Sequence, residues 1–304
     1  MAVPSVNLPL TIAVVQFCPK IGRVQENIAK ANELLASLQP RSVDLVCLPE
    51  MIFTGYAFPN SAAILPHLEE PKTGPTSTFC ASLARRLACH VVAGYPERLK
   101  DTEIPQRSSN GPEIVGANSA VLYGPDGEWI GRYRKTNLFE TDMPWAKAGT
   151  GFATFHLPPP LHTLCLGICM DLNVQPPHDW TLSDGPYELA DYCIEQQADI
   201  LLLLNSWLES SDAKNSDKDS PDWNTINYWS LRLEPLWAER DNKQLDDTDR
   251  RKEMTVVICN RTGEENGVKF AGSSSVFRMT PGAGRGALLN KMTRCEEGVR
   301  IWRV

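Results

Sequence analysis

The sequence predicts an α/β fold, and three observations carry that prediction. Short apolar, β-rich runs alternate along the chain with segments whose apolar residues recur every three or four positions. Pro and Gly punctuate the boundaries between these segments. The composition is that of an ordinary globular chain, 42% hydrophobic and 22% charged over 304 residues. That sets disordered, collagen-like and fibrous classes aside and leaves enough apolar surface for a large core.

Residues 11–17 are apolar and β-branched and are closed by Pro19, so they read as a buried strand. Across residues 25–38, Ile28, Ala31, Leu34, Leu35 and Leu38 fall at helical spacing with polar residues between them. Residues 43–48 form the next strand, closed by Pro49-Glu50. Residues 75–88 read as a helix. Pro75 suits a first turn, which needs no backbone donor, and Arg85-Arg86 suit the last, where the helix dipole favours cations. A strand at 90–94 completes a β-α-β-α-β series.

Residues 100–112 are Ser- and Pro-rich and read as a surface loop. Residues 118–123 and 128–132 flank Gly124-Pro125-Asp126-Gly127, whose Pro and Gly supply turn dihedrals, so the pair reads as a hairpin. A buried strand at 161–168, a helix at 187–196 and an apolar strand at 199–204 follow. Residues 209–222 are expected to be a solvated, mobile loop. A helix at 225–239, interrupted by Pro235, leads into a charged stretch at 241–253, and residues 255–259 and 273–279 are the late strands. No repeat or long linker divides the chain, so one domain over residues 1–304 is expected.

Thirty Lys and Arg against 37 Asp and Glu leave a formal charge of −7. A nucleic-acid binder normally shows a basic excess or stripe. Neither is present, so no nucleic-acid partner is expected. No apolar run reaches about 18 residues, so no membrane partner is expected. The first apolar stretch lacks a preceding basic region, which argues against a secretory signal. A cytoplasmic location is expected, with the nucleus left open. Most of the nine cysteines sit inside apolar runs such as 45–48 and 256–259. They read as reduced thiols packed as small hydrophobes rather than as a disulfide framework. No Cys-x-x-Cys or His-x-x-x-His pair occurs, so no metal is expected.

Three reactive side chains follow strand-like segments: Glu50 after Leu48-Pro49, Lys135 after Tyr133-Arg134, and Cys169 after Ile168. Open α/β sheets bind ligands beyond the carboxyl ends of their strands, so neighbouring strands would bring the three to one edge. Their chemistry is coherent. A carboxylate in a dry site can act as the base that makes a thiol nucleophilic. A fixed ammonium lowers the thiol pKa and stabilises an oxyanion. Each residue alone has an ordinary structural use: a packed thiol, a loop acid, a solvated cation. Two further segments carry no such chemistry. The glycine-rich 282–286 segment precedes no helical pattern. Residues 272–275 lack the spacing of a serine nucleophile elbow.

At these residues the chain resembles the carbon–nitrogen hydrolase (nitrilase) superfamily. The matching segments are Cys47-Leu48-Pro49-Glu50-Met51 with Thr54-Gly55-Tyr56, then Gly131-Arg132-Tyr133-Arg134-Lys135-Thr136, then Gly167-Ile168-Cys169-Met170-Asp171. Asn260-Arg261-Thr262-Gly263-Glu264 with Phe270-Ala271-Gly272-Ser273-Ser274 follow in order, so the likeness spans residues 10–280. The resemblance implies a four-layer α-β-β-α sandwich and a Glu-Lys-Cys triad without metal or organic cofactor. It makes Cys169 the nucleophile, Glu50 the general base and Lys135 the oxyanion stabiliser, with the Met170 backbone amide completing the oxyanion hole. Many members carry a second glutamate after the lysine. Glu140 and Asp142 are both candidates for that position here, and surface acidity is the alternative for either.

Residues 169–173, 135–142 with Trp145, and Tyr228-Trp229 with Arg232-Leu233 and Pro235-Leu236 look like the fungal-type protein N-terminal asparagine amidohydrolases. That branch implies side-chain deamidation of an N-terminal Asn or Gln of a polypeptide, releasing ammonia and feeding an N-degron pathway. Such a substrate brings an α-ammonium, for which Glu140, Asp142 and Asp171 are the nearest acidic candidates. Asn173 and Ser206 are candidates for the substrate amide or backbone, and Asp171 has capping of the following turn as its alternative. Trp145 and Trp207 stand beside the chemical segments, with core packing as their ordinary use. Two other readings stay open: a small-molecule ω-amidase or carbamoylase of the same superfamily, and a non-catalytic binding or scaffold member.

Overall fold

The computed structural model describes residues 9–104, 112–215, 217, 219–239 and 251–304. Parts of the predicted loop at 100–112 and of the charged stretch at 241–253 lie outside these residues. Two six-stranded sheets dominate. The first has the order β14-β1-β2-β3-β4-β5, built from β1 (Thr11–Gln16), β2 (Leu45–Leu48), β3 (His90–Arg98), β4 (Gly116–Tyr123), β5 (Trp129–Arg134) and β14 (Gly298–Arg303). The second has the order β13-β12-β9-β8-β7-β6, built from β6 (Ala153–His156), β7 (Thr163–Ile168), β8 (Ile200–Asn205), β9 (Met254–Asn260), β12 (Ser275–Met279) and β13 (Ala287–Lys291). A small hairpin, β10 (Glu264–Glu265) and β11 (Val268–Lys269), stands apart.

The layering follows from strand alternation. In β1, Ile12 and Val14 face the second sheet, where they join Leu164, Leu166, Leu202 and Leu204 in one apolar layer. Ala13 and Val15 face the opposite way, toward α1 (Val24–Leu35) and α3 (Pro75–Leu87). On the far side of the second sheet, Leu201 and Leu203 pack with residues of α4 (Glu188–Glu195) and α5 (Trp223–Leu231). The result is helix, sheet, sheet, helix, the four-layer sandwich expected from the resemblance. A short helix, α2 (Ser61–Ile64), lies in the loop between β2 and α3.

Several elements differ from the sequence reading. The helix expected at 225–239 ends as α5 at Leu231, and Glu234–Leu236 form a separate 3-10 turn with Pro235 at its start. Proline cannot donate to a helix interior, so it begins a new turn instead. The loop expected to be solvated at 209–222 contains a 3-10 turn, Ser211–Asn215, and ends at a buried Asp222. That carboxylate accepts from Thr225 N at 3.1 Å and so caps α5. The strands β6, β13 and β14 were not read from sequence. β14 returns from the second sheet to pair antiparallel with β1 from Thr11↔Arg303 to Gln16↔Gly298.

Strand direction sets the location of the site. β1, β2 and β3 run parallel, and two antiparallel steps bring β5 back to the same direction. β7, β8 and β9 are likewise mutually parallel. Glu50 therefore leaves the carboxyl end of β2, Lys135 that of β5 and Cys169 that of β7, all toward one edge of the sandwich.

Candidate active site

Cys169 stands at a sharp turn. It leaves β7 with φ of 43°, in the left-handed region, and opens the 3-10 turn Cys169–Leu172. A non-glycine residue there is strained unless its surroundings hold it. Its backbone N–H donates to Asn205 Oδ1 at 3.1 Å. Asp171 holds the same turn from beneath, accepting from Ile168 N at 2.8 Å. Met51, next to Glu50, is likewise left-handed, with φ of 46°. Gly94 of β3 passes directly under this bend. A Cβ added there would lie 2.5 Å from Glu50 Cα, so only glycine permits the approach.

Glu50, Lys135 and Asp142 are each 0% exposed. The Lys135 ammonium donates to Glu50 Oε1 and to Asp142 Oδ2, both at 2.7 Å. Glu50 Oε2 accepts the Ser206 backbone N–H at 2.7 Å. Asn118 donates to both carboxylates, and the Tyr56 hydroxyl donates to Asp142 Oδ2 at 3.3 Å. Tyr56 also sets its ring 5.4 Å from the ammonium, within cation–π range.

Burial dominates the titration behaviour. It pushes the Cys169 thiol well above its usual range. The Glu50 charge adds to that rise, while Lys135 and the Ser206 amide oppose it. A thiol pushed up in this way calls for a base to make it nucleophilic. Burial also raises the Glu50 carboxyl, against the pull of Lys135, which leaves it better suited to hold a proton than an exposed glutamate. Burial alone would lower Lys135, but Asp142 and Glu50 outweigh it and hold the ammonium charged.

The other candidates divide. Of the two acids proposed for the position after the lysine, Asp142 is in the cluster and Glu140 is exposed, outside it. The turn at Phe139–Asp142 explains the choice. Phe139 N donates to Asp142 Oδ2 at 3.0 Å, folding that carboxylate inward while Glu140 faces solvent. Asp171 is buried, and its oxygens are taken by the amides of Ile168, Thr136 and Asn137 and by the Tyr133 hydroxyl. It braces the nucleophile turn and the segment after Lys135, and no acceptor is left over for a substrate ammonium. Burial pushes its carboxyl up to about 6.

Asn173 Oδ1 accepts from the Tyr228 hydroxyl at 2.8 Å, and Met170 is half-buried beside it, its sulfur 3.3 Å from Asn173 Nδ2. Ser206 serves through its backbone N–H, while its hydroxyl donates to the Glu50 carbonyl at 3.3 Å. Trp145 is fully buried and Trp207 is half-buried against Tyr228.

Four positions with site roles had no role in the sequence reading. Asn118 and Asn205 lie at strand ends on the reactive edge, where a polar residue bounds an apolar run, and that break is their signal. Glu265 accepts from Tyr56 N at 2.8 Å and Ala57 N at 3.0 Å, pairs with Arg261 and so fixes the Tyr56 loop. Arg232, which caps the C-terminus of α5, is buried and donates to the Leu172 carbonyl at 2.8 Å, bracing the turn that carries Cys169. These two act across more than fifty residues of sequence, so their partners are not visible locally, although Arg232 lies in a segment that carries the resemblance. A groove of about 510 Å³ between α1 and α3 contains none of these residues. Among the described residues no group of three or more His, Cys, Asp or Glu is placed to hold a metal ion.

The family model described as carbon-nitrogen hydrolase matches residues 11–182, more than half of the chain and the part that carries all three reactive side chains. The chain belongs to the carbon–nitrogen hydrolase family. Among curated carbon–nitrogen hydrolases and their relatives, it is 32% identical over 302 residues to a protein N-terminal amidase of Schizosaccharomyces pombe, covering 94% of this chain and 96% of that one. It is 28% identical over 266 residues to a nitrilase of Pyrococcus abyssi, covering 87% and 80%. Among solved structures, an N-terminal amidase with an Asn-Glu-Ala peptide superposes with a TM-score of 0.81 at 20% identity, covering 98% of each chain. That likeness establishes the shared carbon–nitrogen hydrolase fold. Among the described residues no helix is long and apolar enough to cross a membrane.

Proposed function

We propose that the chain is a cysteine-dependent amidohydrolase that deamidates the side chain of N-terminal Asn or Gln residues of polypeptides. The observation that carries the chemistry is the buried cluster in which Lys135 binds Glu50 and Asp142 beside a strained Cys169. Glu50 takes the thiol proton as sulfur attacks the amide carbon. The Lys135 ammonium and the Met170 backbone N–H hold the oxyanion. The carbon–nitrogen bond breaks, ammonia leaves with the proton carried by Glu50, and a thioester remains. Glu50 then deprotonates a water that attacks the thioester, and the proton returns to the sulfur as the acid departs.

The substrate class is supported by the S. pombe amidase, which matches nearly the whole chain, and by electrostatics. Within the buried cluster two carboxylates face one ammonium, so its field favours a substrate that carries its own cation. The three acids first considered for direct ammonium contact are exposed (Glu140) or committed to protein donors (Asp142, Asp171), so attraction to the site's excess negative charge replaces a dedicated carboxylate. The test is mass spectrometry of peptides beginning with Asn or Gln, beside the same peptides α-acetylated and peptides with internal Asn. Acetylation removes the cation that this field attracts, and electrostatic focusing is worth about tenfold or more, so turnover should slow by at least about tenfold. Equal hydrolysis of free and acetylated peptides would leave the mechanism standing and favour a small-amide hydrolase. Failure of Cys169 to react with any electrophilic probe would favour a non-catalytic member.

A further inference from the structure

The Asn118 side chain is 0% exposed, at the start of β4 on the reactive edge. Its Nδ2 donates one proton to Glu50 Oε1 at 2.7 Å and the other to Asp142 Oδ1 at 2.9 Å. Its Oδ1 is buried and has no partner. The reverse orientation of the amide would aim a carbonyl at two carboxylates, so the assignment is forced by charge. A buried acceptor without a partner is a destabilising feature that asks for an explanation. The explanation lies in where the two protons go.

Together with Lys135, which bridges the same two carboxylates, Asn118 closes a four-membered ring: Glu50, Lys135, Asp142, Asn118. The ammonium is a point charge on a flexible stem and tolerates many angles. The amide is planar, and its two N–H bonds diverge at a fixed angle, so it sets the separation and direction of the carboxylates it bridges. We infer that Asn118 is a positioning residue whose amide fixes Glu50 and Asp142 on either side of the Lys135 ammonium and keeps Glu50 directed at Cys169. The inference rests on the reading of Glu50 as the base.

The titratable groups facing the ring are Tyr56, from the loop after β2, and Cys169 and Asp171, from the turn after β7. Without the amide, Glu50 keeps only Lys135 and the Ser206 N–H. Its charged form loses a donor, so it takes up a proton at higher pH.

The test is Asn118→Ala, measured in two ways. Turnover of Asn- and Gln-initiated peptides gives kcat and KM against pH. Iodoacetamide alkylation of Cys169, located by peptide mapping because Cys18 and Cys295 are also accessible, gives the pH profile of the thiol–base pair without any amide substrate. Expected are a kcat loss of about tenfold or more, a KM change under about threefold, and an acid limb displaced upward by about one pH unit in both profiles. Asn118→Gln, which restores both donors on a longer arm, should recover part of that displacement. If Asn118→Ala does not fold, Asn118→Ser carries the same measurement. A lowered melting temperature with both acid limbs unmoved would make Asn118 merely structural and overturn the inference. A parent enzyme whose Cys169 alkylates with no acid limb would instead overturn Glu50 as base. Loss of peptide turnover in the parent with the alkylation limb intact would count against the substrate alone.

Discussion

Replacing Lys135 with Met separates the electrostatic role of the ammonium from its catalytic one. The parent ammonium makes two 2.7 Å contacts to carboxylates, and all three side chains are 0% exposed. Removing one member of a buried ion pair typically costs about 3–5 kcal/mol, because the remaining charge is left without compensation. Here two carboxylates lose the same partner, so about 3 kcal/mol is the lower bound. At about 2–4 °C per kcal/mol the melting temperature should fall by about 6 °C or more. Turnover should fall at least about a hundredfold, the usual consequence of losing an oxyanion donor. The double variant Lys135→Met with Asp142→Asn removes one of the orphaned charges. Its stability should recover by a measurable part of the loss while its turnover does not. Calorimetry and a single-turnover peptide assay read the two effects independently. A single variant that melts like the parent, or a double variant no more stable than the single, would refute the charge argument.

Three further outcomes are expected. Cys169→Ser should abolish turnover while leaving the circular dichroism spectrum unchanged, and near-normal turnover would remove Cys169 as nucleophile. Glu140→Gln should keep turnover within about twofold, because the side chain is exposed outside the cluster, whereas Asp142→Ala should reduce it by at least about a hundredfold; the reverse order in the same peptide assay would exchange their roles. Glu69, in the segment before α3, is buried with its carboxylate on that helix's first turn, and burial raises the carboxyl to about 7, against the Thr76 N–H and hydroxyl from which it accepts. A raised folded pKa means that its stabilising contribution is present below the ordinary value near 4.5 and is lost as pH climbs through about 7. A displacement of that size corresponds to about 3 kcal/mol, so Glu69→Gln should gain stability relative to the parent between pH 5 and pH 8. Denaturant melts showing a constant difference across that range would contradict it.

Local chemistry was legible in the sequence and distant chemistry was not. The buried strands declared themselves because two-sided burial leaves continuous apolar runs such as those at 45–48 and 200–204. Glu50 and Cys169 stood out because each follows such a run with a reactive group, and Lys135 because it follows the second arm of a hairpin. β14 escaped notice because an edge strand buries little: Arg300, Ile301 and Arg303 are exposed and only Trp302 is buried. The choice between Glu140 and Asp142 depended on how one turn folds, which the spacing alone left open. In sequence Asp171 offered either an ammonium contact or a turn cap, and its bracing of a second segment depends on the amides of Thr136 and Asn137, thirty-five and thirty-four residues away.

The proposed base and nucleophile ride on different sheets, Glu50 on the first and Cys169 on the second. What fixes their spacing is the apolar layer between the sheets, together with cross-sheet bonds such as those from the Ser206 amide to Glu50 and from the Tyr133 hydroxyl to Asp171. The reaction rate is thus a strain gauge for the interior of the molecule. A methyl group deleted from Leu166 or Leu204, on the strands that lead to Cys169 and Ser206, should loosen that layer and let one sheet settle against the other. Activity in this architecture should fade under core substitutions well before unfolding begins, and directed evolution for stability would act on the rate through the same layer.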